Sequence, residues 1–157
     1  MEDEFVIDSK VVNIKLDVNT SDEAIKTIAL SLKDAEYVKE SYIKAVLERE
    51  KIYPTGLPIE QFGVAIPHTD IEHVNKPMIA LATLKNPVDF YVMGGCNNEK
   101  VPIKIIFMLA MTNSKSQITL LTKLMSLIQD KYILEHIYNS HDKNDLLNIV
   151  GDKLQIK

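Results

Sequence analysis

The chain has 157 residues, 46% of them hydrophobic and 25% charged, which suits one globular domain built on one core. Its formal net charge of −4 argues against non-specific nucleic-acid binding, which needs a basic face. The longest apolar runs, such as Ile105 to Met111, are too short to span a bilayer, and the acidic start Glu2-Asp3-Glu4 lacks the apolar core of a secretory leader. Cys96 is the only cysteine, so an internal disulfide and a thiolate metal site are both excluded and a cytoplasmic protein is expected. Residues 1–157 are expected to form a single domain whose first eight or so residues are loosely ordered.

Val11 to Val18 alternates apolar and polar residues, which predicts a strand with Val12, Ile14, Leu16 and Val18 on one face. Thr20-Ser21-Asp22-Glu23 fits a capping box and opens a helix whose buried face is Ala24, Ile25, Ile28, Ala29 and Leu32. A break near Lys33 to Tyr37 precedes a second helix, about Lys39 to Glu50, with Ile43, Val46 and Leu47 facing inward and its charged residues facing water. Pro54-Thr55-Gly56-Leu57-Pro58 ends it in a loop. Val64 to Ile66 reads as a short buried strand, followed by Met78 to Leu84 and Val101 to Met111, both apolar enough to be buried on two faces. Asn86-Pro87 and Gly94-Gly95 are turn signals that mark the connection between the last two. Cys96 falls in this turn chemistry, where a lone cysteine is incidental. Ser114-Lys115-Ser116-Gln117 resembles another capping box. It opens a long helix to about Asp130 with a stripe of Ile118, Leu121, Leu124, Met125 and Ile128. Tyr132 to Asn139 and Lys143 to Leu154 are shorter helices. Strands mixed with helices in this order predict a three-layer α/β sandwich.

The chemistry concentrates around Gly63-Val64-Ala65-Ile66-Pro67-His68-Thr69-Asp70. Pro67 has no N–H to give a ladder, so pairing is expected to stop there and deliver His68 at a strand terminus. Histidine is the side chain whose ordinary charge change lies nearest neutral pH. His68, Asp70 and His73 form an H-x-D-x-x-H cluster of the residue types that bind metals, although their loop spacing is a weak signal. His136 and His141 have polar neighbours and read as surface residues. Arg49, inside Glu48-Arg49-Glu50 at a helix end, is the only arginine in the chain. Such an arginine ordinarily pairs on the surface or complements the helix dipole. Its guanidinium fork is also the group that grips a phosphoryl in two-point geometry. The helix start near Ser114 offers free N–H groups to an anion.

Leu47-Glu48-Arg49-Glu50, leading through Pro54-Thr55-Gly56 to Gly63-Val64-Ala65-Ile66-Pro67-His68, resembles the IIA proteins of the sugar phosphotransferase system, fructose–mannitol class. The resemblance runs from the first helix to the last, and the spacing from Arg49 to His68 together with His73 is most similar to galactitol-type IIA proteins. It implies a mixed central β-sheet flanked by helices and no metal or organic cofactor. It implies a phosphocarrier in which His68 accepts a phosphoryl group from phospho-HPr and passes it to a cysteine of the cognate IIB, while IIC carries the sugar. Arg49 would stabilise the phosphoryl group. Mannitol-type relatives carry a second histidine at the start of the long helix, where this chain has Gln117. The auxiliary group is therefore His73 or Gln117. Gln117 would be committed to the capping box, which favours His73. Two other readings stay open: a regulatory IIA that signals by its phosphorylation state, and a metal-dependent hydrolase using His68, Asp70 and His73.

Overall fold

In the computed structural model, which describes residues 7–59, 61–95 and 98–155, the first strand already explains why both faces of the sheet are covered. β1 (Ile7–Leu16) buries Val11 in one core and its neighbour Val12 in another. Successive strand residues point to opposite faces, so adjacent buried valines need a layer on each side. The expected single apolar face does not persist. Val12 and Ile14 join one core, whereas Leu16 and Val18 join the other. The cause is local: the register slips between Asn13 and Leu16, and Lys15 lies at φ 53°, which flips the alternation. β1 already runs at Ile7 and Asp8. Residues 1–6, like Cys96, lie outside the described residues.

α1 (Ser21–Asp34) starts as its sequence dictates. Thr20 Oγ1 accepts the Glu23 N–H at 3.1 Å, and Glu23 reaches back to the Asn19 N–H at 3.3 Å. All five expected inward residues of α1 are buried. α2 (Ser41–Ile52) follows, with Tyr42 and Val46 buried and Ile43 and Leu47 packed at the edge of the same core. Two short strands come next, β2 (Gly56–Leu57) and β3 (Gly63–Ala65), then a 3-10 turn at Ile71–His73. A Cβ on Gly63 would sit 2.0 Å from the Pro102 carbonyl oxygen, so only glycine lets the strands meet there.

β4 (Met78–Tyr91) is twice the expected length. Asn86-Pro87 does not connect two strands but lies in a bulge between Thr83 and Val88, where the missing proline N–H costs no ladder bond. The chain turns only past Tyr91, toward β5 (Lys100–Ala110). The sheet order is β1-β4-β5-β3-β2, with β1–β4 and β3–β5 parallel and β4–β5 and β2–β3 antiparallel. α1 and α2 cover one face. α3 (Ser114–Leu127), α4 (Lys131–Asn139) and α5 (Lys143–Leu154) cover the other. The result is the three-layer α/β sandwich with a mixed central sheet. None of the described helices is long and apolar enough to cross a membrane.

The expected stripe of α3 holds at Leu124 and Ile128, which are buried, and at Leu121, which packs against the same core, but not at Ile118 or Met125. Ser116, Leu120, Leu124 and Leu127 are buried, whereas Ile118 is 66% exposed and Met125 38% exposed. Its cap is Asn113, one residue earlier than expected. Asn113 Oδ1 accepts the N–H groups of Lys115 at 2.8 Å and Ser116 at 3.2 Å. Two of the N–H groups that an anion would use are therefore already taken.

Candidate functional site

β3 is buried throughout and packs parallel to β5, so it aims the chain at the end of the sheet. Pairing does not stop at Pro67. The Pro67 carbonyl accepts the Leu109 N–H at 3.1 Å, and His68 makes an isolated parallel bridge with Leu109. Proline lacks only the donor, and its acceptor still serves the ladder. Leu109 is held from its other side as well, because the buried Tyr42 hydroxyl donates to its carbonyl at 2.6 Å. His68 thus rides on a backbone fixed from α2 and from β5.

The imidazole is half-buried. Its Nδ1 lies 2.8 Å from the Ile66 carbonyl oxygen. A carbonyl can only accept, so Nδ1 carries the proton and Nε2 keeps its lone pair. Burial lowers the His68 pKa from its ordinary value, and the Arg49 charge lowers it further. The Ile66 bond and Asp70 act in the opposite direction. The net effect favours the neutral, nucleophilic ring.

Arg49 comes from the last turn of α2. Its guanidinium lies over the Tyr53 ring, 4.6 Å from the centroid, and its Nη1 is 3.6 Å from Asp70 Oδ1. Arg49 Nε is buried without a hydrogen-bond partner. The long single contact to an exposed carboxylate is weak, which leaves the fork ready for a better anion. His68, Arg49 and Asp70 are therefore brought together.

His73 is engaged elsewhere. Its Nδ1 is 2.8 Å from Ser41 Oγ at the start of α2, its Nε2 is 3.9 Å from Glu72, and its carbonyl accepts the Lys39 N–H at 2.8 Å. Among the described residues, no three histidine, cysteine, aspartate or glutamate side chains are grouped to hold a metal ion, so the H-x-D-x-x-H spacing does not close into a site. Gln117 sits in the first turn of α3, with its backbone N–H on the Asn113 carbonyl and its side-chain Oε1 buried without a partner. It closes no capping box.

A family model described as "Phosphoenolpyruvate-dependent sugar phosphotransferase system, EIIA 2" matches residues 5–153. The chain belongs to this EIIA 2 family. The galactitol-specific EIIA component of Escherichia coli K12 is 31% identical over 98 residues, 62% of this chain and 64% of that protein. The match thus spans less than two thirds of that relative's length. A nitrogen regulatory protein of Bradyrhizobium diazoefficiens is 25% identical over 139 residues, 87% of this chain and 86% of that protein. The Escherichia coli complex of enzyme IIAMTL with phosphorylated enzyme IIBMTL contains a similar fold, with a TM-score of 0.76 at 22% identity over 94% of this chain and 99% of that one.

Two further residues around His68 carry no specific signal of their role in the sequence. Glu50 is not a water-facing helix-end acid. Its carboxylate accepts the Thr55 N–H and the Thr55 hydroxyl, each at 2.8 Å. Burial pushes the Glu50 carboxyl up to about 7, against the two Thr55 bonds. Thr55 in turn accepts the Ile66 N–H at 3.2 Å. The only local signal was the recurrence of turn residues five positions after an acid, which is common to many helix ends.

Proposed function

We infer that the chain is a cytoplasmic phosphocarrier whose nucleophile is His68. The observation that carries this reading is the Nδ1–H bond to Ile66, which leaves a neutral Nε2 within the field of the Arg49 charge. Nε2 attacks the phosphorus of phospho-HPr, a new N–P bond forms, and the donor imidazole leaves with its electron pair. The reverse logic passes the group to a cysteine thiolate of a IIB partner. Transfer of this kind asks mainly for alignment and for charge on the equatorial oxygens, which Arg49 supplies. Similarity to the galactitol-specific relative favours uptake of a galactitol-like sugar through a membrane IIC that this chain does not itself contact.

Gln117 is the better candidate for the auxiliary group. His73 Nδ1 faces Ser41, whereas Gln117, on the helix that follows β5, carries an amide N–H₂ that can donate to a phosphoryl oxygen and an Oε1 that no partner holds. Residues 1–157 act as one EIIA unit in this reading.

The nitrogen regulatory relative supports a second reading, a IIA that signals through its phosphorylation state. One experiment tests both. The protein is incubated with phosphoenolpyruvate, enzyme I and HPr, and its intact mass is followed. An acid-labile gain of one phosphoryl group is expected. Absence of that gain overturns the carrier reading. Addition of a galactitol-type IIB should then discharge the adduct in the transport reading and leave it in place in the regulatory one.

A further inference from the structure

The antiparallel pair β2–β3 matches Gly56 with Ala65 and Leu57 with Val64. The next facing positions are Thr55 and Ile66, where the strand ladder has ended. An Ile66 N–H left open there would be a buried donor without a partner, since Ile66 is 1% exposed. The Thr55 side chain takes the place of the missing carbonyl: its Oγ1 accepts the Ile66 N–H at 3.2 Å. A threonine hydroxyl rotates freely unless its proton is claimed. Here Glu50 claims it at 2.8 Å and also binds the Thr55 N–H at 2.8 Å, so the hydroxyl lone pairs are held in one orientation.

Ile66 is therefore held through both of its polar groups. Its N–H goes to Thr55, and its carbonyl accepts the proton of His68 Nδ1 at 2.8 Å. An unbroken chain of hydrogen bonds therefore runs from the last turn of α2 to the imidazole. Arg49 and Glu50 are adjacent in that turn. One sends a charge toward the ring and the other anchors the backbone that orients it.

The carboxylate is an expensive choice for this task. Burying it pushes its pKa up to about 7, and among the described residues it forms no ion pair. Two acceptor oxygens on one side chain are what the two Thr55 donors require, and the cost of burying them is accepted here. The arrangement makes sense when the tautomer matters. A histidine free in water prefers its proton on Nε2, the nitrogen that must be bare to attack phosphorus. The protein has to invert that preference, and a rigid carbonyl acceptor at Nδ1 does so.

We propose that Glu50 and Thr55 are positioning residues for His68, locking the Ile66 backbone so that the ring is held as the Nδ1–H tautomer with a nucleophilic Nε2. The proposal rests on the phosphocarrier reading for its consequence, but the tautomer is measurable without it.

The test uses full-length protein labelled with 15N at histidine. Ring-nitrogen spectra of unphosphorylated wild type, Thr55→Val, Thr55→Ser and Glu50→Gln report the His68 tautomer. Initial rates of transfer from phospho-HPr report kcat and KM. In wild type, Nδ1 is expected to be the protonated nitrogen. In Thr55→Val the population is expected to move toward Nε2–H, and kcat to fall about tenfold with KM for phospho-HPr unchanged. Thr55→Ser keeps the hydroxyl and restores both. Glu50→Gln offers an N–H₂ where an acceptor is needed, so it should shift tautomer and kcat the same way. It also carries the test if Thr55→Val does not fold. A wild-type tautomer and wild-type kcat in folded Thr55→Val and Glu50→Gln, whatever their thermal midpoints, overturn the proposal. Failure of wild type to accept a phosphoryl group overturns the carrier reading instead and leaves the spectra to decide the positioning role.

Discussion

His68 and His136 each make a hydrogen bond of 2.8 Å, and the two bonds do opposite things. His68 uses Nδ1 toward a carbonyl oxygen, half-buried, with an arginine charge nearby. His136 uses Nε2 toward the Asp145 carboxylate, on the exposed junction of α4 and α5, where Ser140 also donates to Asp145 at 2.9 Å. The His136 and Ser140 bonds hold the Asp145 carboxyl below its ordinary value. A neutral acceptor plus a cation favours an uncharged ring with one bare nitrogen. The Asp145 carboxylate instead occupies the very nitrogen that would attack. Bond length does not separate a nucleophile from a clasp between helices. The identity of the partner does.

The largest effect should come from exchanging the roles of these two rings. His68→Ala is expected to abolish the acid-labile phosphoryl adduct while leaving the thermal midpoint near wild type. His136→Ala should do the reverse: normal transfer, with the α4–α5 junction loosened. Intact mass after incubation with the HPr system, together with thermal melts, checks both. A phosphoryl adduct surviving in His68→Ala removes the basis of the comparison.

Arg49 comes next. Arg49→Lys keeps a charge but loses the fork, and Arg49→Ala loses both. A charge-assisted contact is worth on the order of 1.5–3 kcal/mol, so transfer should slow by roughly tenfold to a hundredfold, more in Arg49→Ala. Wild-type kinetics in both variants would reduce Arg49 to a helix-end cation resting on Tyr53.

These roles were unevenly legible in the sequence. The cap at Thr20 and the buried face of α1 are local patterns, and the structure repeats them residue for residue. His68 just past β3 was legible from the short apolar run before it, although Pro67 does not end the pairing as its missing N–H suggested. Asn86-Pro87 misled, because a bulge inside one strand and a turn between two use the same residues, and only the pairing of Val88 with Ile103 distinguishes them. The phase of α3 was ambiguous because Leu120 and Leu121 are adjacent and the small Ser116 completes the buried stripe. Glu50 was illegible for a different reason. Its burial is made by Thr55 folding back, and Thr55 acquires its purpose from Ile66, a strand away. No window along the chain contains that relation.

The auxiliary group is the third test. Gln117→Ala should slow transfer severalfold with little change in thermal midpoint, because its Oε1 has no partner to lose. His73→Gln breaks the bond to Ser41, so its effect should fall on stability and leave the rate nearly unchanged. The opposite pattern would return the role to His73.

The smallest effects concern the electrostatics of the His68 ring. The His68 pKa lies below its ordinary value of 6.5. A base with a depressed native pKa contributes stability that is complete above the unfolded value and is lost as pH falls through the native one. Transfer should therefore persist at pH values just below 6.5, where a free histidine is already about half charged. Asp70 and Arg49 bear on this value with opposite signs. Asp70→Asn removes the anion that raises it, so His68 should titrate at still lower pH. Arg49→Ala removes a cation that lowers it, so His68 should titrate higher. Because the Arg49–Asp70 contact is a 3.6 Å pair on an exposed carboxylate, Asp70→Asn should alter the transfer rate by less than about fivefold. Titration of the His68 ring followed by NMR in the two variants is the measurement. Displacements of the same sign would mean that the pair does not act on His68 through its charge, and the role of Arg49 at the ring would then rest on its contact with the phosphoryl group alone.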